Sequence, residues 1–597
     1  MKRKEYNDRL KWHVLDLYEN EEAFYKDYQD LENKLDQFDT FKGHVLDSAS
    51  KLYEVLNFDT EFDKKLEQIY IYAHIQNDQD TTEVKYQTLY KKAFRLNECY
   101  NEKTAYLVPE ILKEDWSFVL NYIHCYPKLK EYERVLKDIF KMKPYILEEK
   151  QEQLLSSFSG MMSTSEEVFS YLTDADLKFG NIKNEQGAFE ELTEKSYRKF
   201  IESPDRKVRK SAFLKLFTTY GSFKNTYAAL LSSEVAKNNK IARIRGYESA
   251  LASSLTPHAI PLEIYKNLIS TVRKNIAPLS YFWKIKKKNL GISKLELFDT
   301  YVSSNKIPLK KYTEEEAKDL ILNSLEVLGE TYLKDLNKAF SEGWIDYPPN
   351  DGKRNGAYCT ACYTVHPYVL LSFDGSLNNV STLTHELGHA MHYYYAMKNQ
   401  SYQDYHYSIF VAEVASQVNQ ILLSKYLIQQ TNNLEEKKYL IDDLIMDFKS
   451  TIYRQTMFAD FELQIHEMEQ RGEVLTYEVL CDLYYQLNKD YFGKNIKINE
   501  EIKYEWERIP HFYMKFYVYQ YATAYAAAIK IAMDLLNKKE GACERYLEFL
   551  SLGCTKTPIE SLKVAGVDMT REETLKEAFI YFEDLVKSLE ELSEEVK

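Results

Sequence analysis

Apolar and charged positions alternate at helical spacing along most of this chain. Over residues 1 to about 200 the pattern predicts successive helices, for example in 22–51 and 84–113. Proline is scarce there, and Pro109, Pro127 and Pro144 stand at helix boundaries. A polar break at 202–206 opens a second helical series through 210–239 and 262–288. Gly291, Pro308 and the cluster at 347–352 mark loops. One β region stands out: 363–373, rich in Val, Tyr, Leu and Phe and bounded by Gly375. A helix follows it, with Asn379 or Ser381 as its N-cap. The apolar run 407–423 reads as a buried helix, and further helices lead to an acidic tail, 583–597, expected to be an exposed terminal helix. The pattern predicts a mainly α protein with a small sheet beside one helix. Residues 1–200 form a helical lobe and 201–597 a second domain.

Composition narrows the function. The chain has 597 residues, 45% hydrophobic and 28% charged, as expected of a globular protein with a large core. A net charge of −14 argues against nucleic acid or an anionic membrane as partner, since both select basic surfaces. No apolar run approaches the roughly 18 residues of a membrane span; the run from Tyr521 ends at Lys530. The N-terminal stretch starts basic but lacks the apolar segment of a secretion signal, so a cytoplasmic protein is expected. Seven scattered cysteines fit reduced thiols. Cys359 and Cys362 form a C-x-x-C pair, but no second pair completes a four-cysteine metal site and no βαβ pattern surrounds it.

The chemistry concentrates in STLTHELGHAMH, residues 381–392. Four residues turn a helix by roughly 400°, so His385 and His389 share one face and can hold a metal ion together. Glu386 lies about a quarter-turn away, within reach of a water at such a site as general base. With 12 histidines in the chain, H-E-x-x-H arises by chance in only about a few per cent of such sequences, so context decides. A third ligand is needed, and His392, Asp404, His406, Glu413, Glu435 and Glu436 follow. Glu413 is the only formally charged residue in 407–423, and a buried lone carboxylate is costly unless paired or metal-bound. Zinc, one ion per chain, on His385, His389 and Glu413 is the resulting expectation. The metzincin pattern fails, because it wants Gly at 392 and His at 395, where this chain has His392 and Tyr395.

HELGHAMH followed by FVAEVASQ resembles the thimet-oligopeptidase-type zinc peptidases, most closely oligoendopeptidase F. RKVRKSAF at 206–213, ARIRGYESAL at 242–251, GAYCT at 356–360, HPYVLLSF at 366–373 and IPHFYMKFYVYQYATAYAAA at 509–528 fit the same family. The resemblance implies a helical two-lobe zincin-type peptidase around a deep cavity, cutting internal bonds of short, unstructured oligopeptides. It favours the strand at 363–373 as an edge that pairs with substrate. It makes His366, Tyr519 and Tyr521 substrate-binding residues, and His511 and Tyr517 donors to the reacting carbonyl.

Two departures stand out. Related enzymes often carry Glu seven residues after the third ligand, where this chain has Gln420, and Gly where it has Ala524, which would stiffen a loop. A zinc carboxypeptidase of similar helical fold is the alternative enzyme, and a peptide-binding scaffold with a vestigial motif is the alternative outside enzymes.

Overall fold

A computed structural model describes residues 1–305 and 310–595 of the chain; Pro308 lies outside them. Helices dominate, and the only described strands form two small sheets. Contacts divide the chain into two compact units. The first comprises Met1–Ile146, Leu309–Leu423 and Ile531–Gly566; the second comprises Leu147–Pro308, Ser424–Lys530 and Val567–Lys597. This division runs differently from a linear boundary at residue 200, because the polypeptide leaves each unit and returns to it.

In the first unit, the helical pattern over 22–51 resolves into three helices, Glu21–Lys34, Gln37–Phe41 and Ala49–Gln79. Asn20 and Ser48 explain two of the starts: their side chains accept hydrogen bonds from Ala23 N and Lys51 N. The core of this helical layer, around Leu52, Leu66 and Ile69, continues into Cys362, Tyr368 and Leu370. Residues 1–146 and the sheet thus bury one another's apolar faces, which is the main source of stability for both. Cys362 is spent on that core.

Strands β1 (Asn181–Lys183) and β2 (Phe189–Glu191) make a hairpin in the second unit. The first unit holds β3 (Ile345–Asp346), β4 (Tyr358–Ala361) and β5 (Pro367–Leu370), in the order β3-β5-β4. The β region expected over 363–373 is therefore shorter, and it is central. β5 pairs in parallel with β3 and antiparallel with β4, with Val369 opposite both Ile345 and Cys359. All four β5 residues are buried, which explains an apolar run without alternation. A strand bonded on both sides cannot receive a peptide. The edges are β3, whose two residues are buried, and β4, whose Tyr358, Cys359 and Thr360 are half-buried.

The following helix spans Leu377–Asn399 and starts earlier than expected. Its cap is Ser376, whose Oγ accepts from Asn379 N at 3.2 Å, while Asn379 Oδ1 accepts from Asp374 N. The polar residues thought to open the helix already lie in its first turns.

Helix follows helix in the second unit, and some of its buried carboxylates are paired. Glu505 meets Arg454 at 2.8 Å and Tyr484 at 2.7 Å. The terminal helix, Glu572–Glu595, is exposed on one side only. Leu585, Val586 and Leu589 are buried where it packs on Leu434–Phe448 and Ala277–Asn289, so the acidic tail is an amphipathic helix of that unit.

Asp346, at the end of β3, is fully buried between two cations. Arg3 Nη1 donates to its Oδ1 at 2.9 Å, and Lys353 Nζ lies 2.7 Å from it with 1% of its side chain exposed. Burial pushes the Lys353 pKa down to about 8 despite that carboxylate. Asp346→Ala leaves a cation buried without its counter-charge, and should cost about 3–5 kcal/mol, read as a lower urea midpoint.

Candidate metal centre

The Leu377–Asn399 helix aims His385 and His389 toward Glu413, which stands on the next helix, Ile409–Gln430. His385 Nε2 lies 3.2 Å from His389 Nε2, and Glu413 Oε2 lies 3.3 Å and 3.5 Å from those two nitrogens. A tetrahedral zinc ion with bonds of about 2.0–2.1 Å separates its ligand atoms by about 3.3–3.4 Å. The three atoms match that spacing. Among the described residues they are the only such group of His, Cys, Asp and Glu. The side chains are 21%, 16% and 29% exposed, so the converging atoms are sheltered yet reachable.

The donor set also has the right electrostatics. Burial works against a charge on Glu413, but hydrogen bonds from His385 and His389 outweigh it and hold the carboxyl well below the usual range. Burial likewise disfavours a charged His385, and Glu413 more than compensates, raising its pKa. An anion poised between two imidazoles is a place for a cation.

Glu386 is 7% exposed, and burial raises its pKa while the two histidines oppose the rise. No hydrogen bond or ion pair engages its carboxylate among the described residues, which leaves it available as a proton acceptor. Such a shift toward neutrality is what a general base needs.

Gln420 settles how His385 is presented. Its Oε1 is 2.8 Å from His385 Nδ1, and its Nε2 donates to Ser381 Oγ at 3.1 Å. With the amide oriented by that serine, His385 Nδ1 carries the proton and Nε2 keeps its lone pair for a metal. The neutral amide thus orients the imidazole, as a carboxylate in its place would.

A residue without chemistry of its own completes the centre. A Cβ on Gly388 would lie 2.5 Å from Ser416 Cα and 2.7 Å from Ala415 O, both backbone atoms. The two helices can cross this closely only at a glycine, one turn from Glu413. Ser416 Oγ lies 3.0 Å from Glu413 Oε2 and helps fix it. The signal was available: an interior helix glycine costs about 0.5–1 kcal/mol relative to Ala, so it needs a packing reason.

The other candidate ligands are engaged elsewhere. His392 is buried against Tyr407, with ring centroids 3.6 Å apart, and burial pushes its pKa down to about 3. Asp404 pairs with Arg134. His406 is exposed beside Glu67, at 4.0 Å. Cys359, on β4, lies near enough to Glu386 to feel its charge, and burial keeps its thiol protonated.

His366 is held on all sides. Its ring stacks on Trp344 at 5.2 Å, Nδ1 lies 2.8 Å from Pro367 O and Nε2 3.1 Å from Asp16. In the second unit, His511, Tyr517 and Tyr521 are half-buried and form one ring cluster, with centroids 5.5–6.1 Å apart. Tyr519 turns the other way, 2% exposed and 5.0 Å from Tyr265. The Tyr-x-Tyr-x-Tyr spacing enters a helix, Tyr519–Leu536, where positions four apart share a face and the one between does not. Ala524 is buried inside that helix, so no loop is there to be stiffened.

The fold and this centre define a helical metallopeptidase, and comparison with known proteins agrees. The profile of peptidase family M3 matches residues 199–580, and the oligopeptidase F profile matches residues 110–179. The chain is 41% identical to oligopeptidase PepF of Bacillus subtilis over 98% of its length and 88% of the relative's. It is 36% identical to group B oligopeptidase PepB of Streptococcus agalactiae, over 98% and 97%. The crystal structure of oligoendopeptidase-F from Enterococcus faecium superposes with a TM-score of 0.76 at 32% identity, covering 96% of this chain and 99% of that one. The chain belongs to peptidase family M3. It is a metalloendopeptidase of the oligoendopeptidase F kind.

Gly388→Ala should force the two helices apart, costing about 1–3 kcal/mol in stability and about 10–100-fold in zinc affinity. Gln420→Ala should lower zinc affinity by a similar factor without the stability loss, and Gln420→Glu should bind zinc at least as tightly as the wild type. Competition with a chromophoric chelator reads both. Unchanged affinity in Gly388→Ala would show that the helix crossing does not set the ligand geometry.

Proposed function

We propose that the chain hydrolyses internal bonds of short, unstructured oligopeptides with one zinc ion held by His385, His389 and Glu413. The convergence of those three ligand atoms beside the unengaged Glu386 carries this reading. A zinc ion bound there supplies a Lewis acid that acidifies water and polarises a carbonyl. In this reading Glu386 takes the proton of the attacking water and later delivers it to the leaving amine. The β4 edge offers backbone groups to an extended peptide, so the scissile bond is presented as a strand.

His511 and Tyr517 are proposed to donate hydrogen bonds to the carbonyl oxygen as it gains charge, with Tyr521 as a substrate contact. Support comes from the resemblance of their segment to the family's substrate-binding segment and from their half-buried ring cluster. Burial lowers the His511 pKa, which favours a neutral imidazole. His366 and Tyr519 are left out of the proposed set, because the first has both ring nitrogens engaged and the second faces the core.

The carboxypeptidase alternative draws no support from the relatives, which are named oligopeptidases and oligoendopeptidases. A cytoplasmic site of action is proposed from the seven unpaired cysteines. No helix among the described residues is long and apolar enough to cross a membrane.

The test is mass-spectrometric mapping of cuts in peptides with free and amidated C-termini. Internal cuts in both are expected, and removal of the metal by a chelator should abolish them. Glu386→Gln should retain zinc and lose turnover by about 10²–10⁴-fold. Trimming confined to free C-termini would overturn the endopeptidase reading, and retained turnover in Glu386→Gln would overturn the base.

A further inference from the structure

The segment that carries His511 and Tyr517 contains a residue in an unfavourable backbone conformation. Phe516 has φ +54°, in the left-handed region that bulky side chains rarely adopt. Its aromatic ring makes it a poor choice on local grounds, and such strain persists only where surrounding groups impose it.

Those groups are visible. The Lys515–Phe516 peptide bond is gripped at both ends. Glu462 Oε1 accepts from Phe516 N at 2.6 Å, and Ser254 Oγ donates to Lys515 O at 3.1 Å. The Phe516 ring is trapped as well, 4.6 Å from His466 and 5.6 Å from Tyr265. Glu462 stands on the helix Gln455–Gln470 and is completely buried. Its other oxygen, Oε2, has no hydrogen-bond partner among the described residues, and no cation pairs with it. A buried carboxyl group with one bond in place of several is a net cost to folding. That single bond goes to the strained peptide unit, and the next residue is Tyr517.

We propose that Glu462 is a positioning residue for the reaction: by holding the Lys515–Phe516 peptide with Ser254, it fixes the left-handed turn that sets Tyr517 beside His511. The inference rests on the proposed role of that pair. Without the clamp, Phe516 relaxes to negative φ and the Tyr517 ring leaves its place against His511 and Tyr521. Burial pushes the Glu462 pKa up to about 8, so at neutral pH the group is a protonated acid and its acceptor oxygen does the holding.

The role separates activity from stability. Glu462→Met removes a buried polar group but leaves Phe516 N without its acceptor, so the two effects oppose and its thermal midpoint should stay close to the wild-type value. Its kcat, per mole of bound zinc, should fall about 10–100-fold with KM within about twofold, the size of loss that a displacement of about 1 Å brings. Glu462→Gln keeps an acceptor oxygen and should restore kcat to within about threefold of wild type, a tolerance well inside one tenfold step. A merely structural role predicts instead that the midpoint falls with kcat. His511→Ala and Tyr517→Phe are measured alongside. If both keep full kcat, the reading of the pair is wrong and this inference falls with it. If they lose kcat while Glu462→Met does not, the pair stands and the inference is overturned. Should Glu462→Met not fold, Ser254→Ala decides: it loosens the other end of the same peptide, and an unchanged kcat in it overturns the inference.

Discussion

The close crossing of two helices at Gly388 is the constraint on which the proposed metal centre depends. Two histidines on one helix face supply only two ligands, and a third must come from elsewhere in the chain. The contact of Gly388 with the Ser416 backbone brings Glu413 within 3.3 Å and 3.5 Å of both imidazoles. Everything around the centre maintains that spacing. Ser376 sets the start of the first helix, Gln420 sets the tautomer of His385, and Ser416 steadies Glu413. The sheet beneath, packed into the core of residues 1–146, gives the first helix a rigid floor.

The centre shows how unfavourable local features are retained where chemistry requires them. An interior glycine, a carboxylate among apolar neighbours and a partly desolvated Glu386 each weaken the fold when taken alone. Together they make a place where a divalent cation is proposed to sit beside Glu386. The second unit repeats the pattern around Phe516, where a strained backbone and a buried acid lie next to the His511–Tyr517 pair. In the second unit a strained residue and a buried acid with a single partner thus adjoin residues proposed for chemistry.

The mainly helical fold was legible in the sequence, and so was the grouping of His385, His389 and Glu413 that is proposed to bind metal, because both rest on spacing. Positions four apart on a helix share a face wherever the helix sits, and one charge in an apolar run needs a partner. What required three dimensions was pairing and direction. The apolar run at 363–373 announced a strand but not that it is central, since a strand buried on both faces looks the same whichever neighbours bond to it. Ser376 rather than Asn379 caps the helix of His385 and His389, because several polar residues within one turn suit the same role. Tyr519 shares its alternation with Tyr517 and Tyr521, and only the onset of a helix turns it inward. Gly388 sat in plain view inside the motif, and its cost as a helix glycine was the clue.

X-ray absorption at the zinc edge of the purified protein tests the central claim most directly. The account predicts one zinc per chain, with two imidazole nitrogens and carboxylate oxygen at about 2.0–2.2 Å. Zinc far below one per chain, or a sulfur ligand at about 2.3 Å drawn from Cys359, would contradict it.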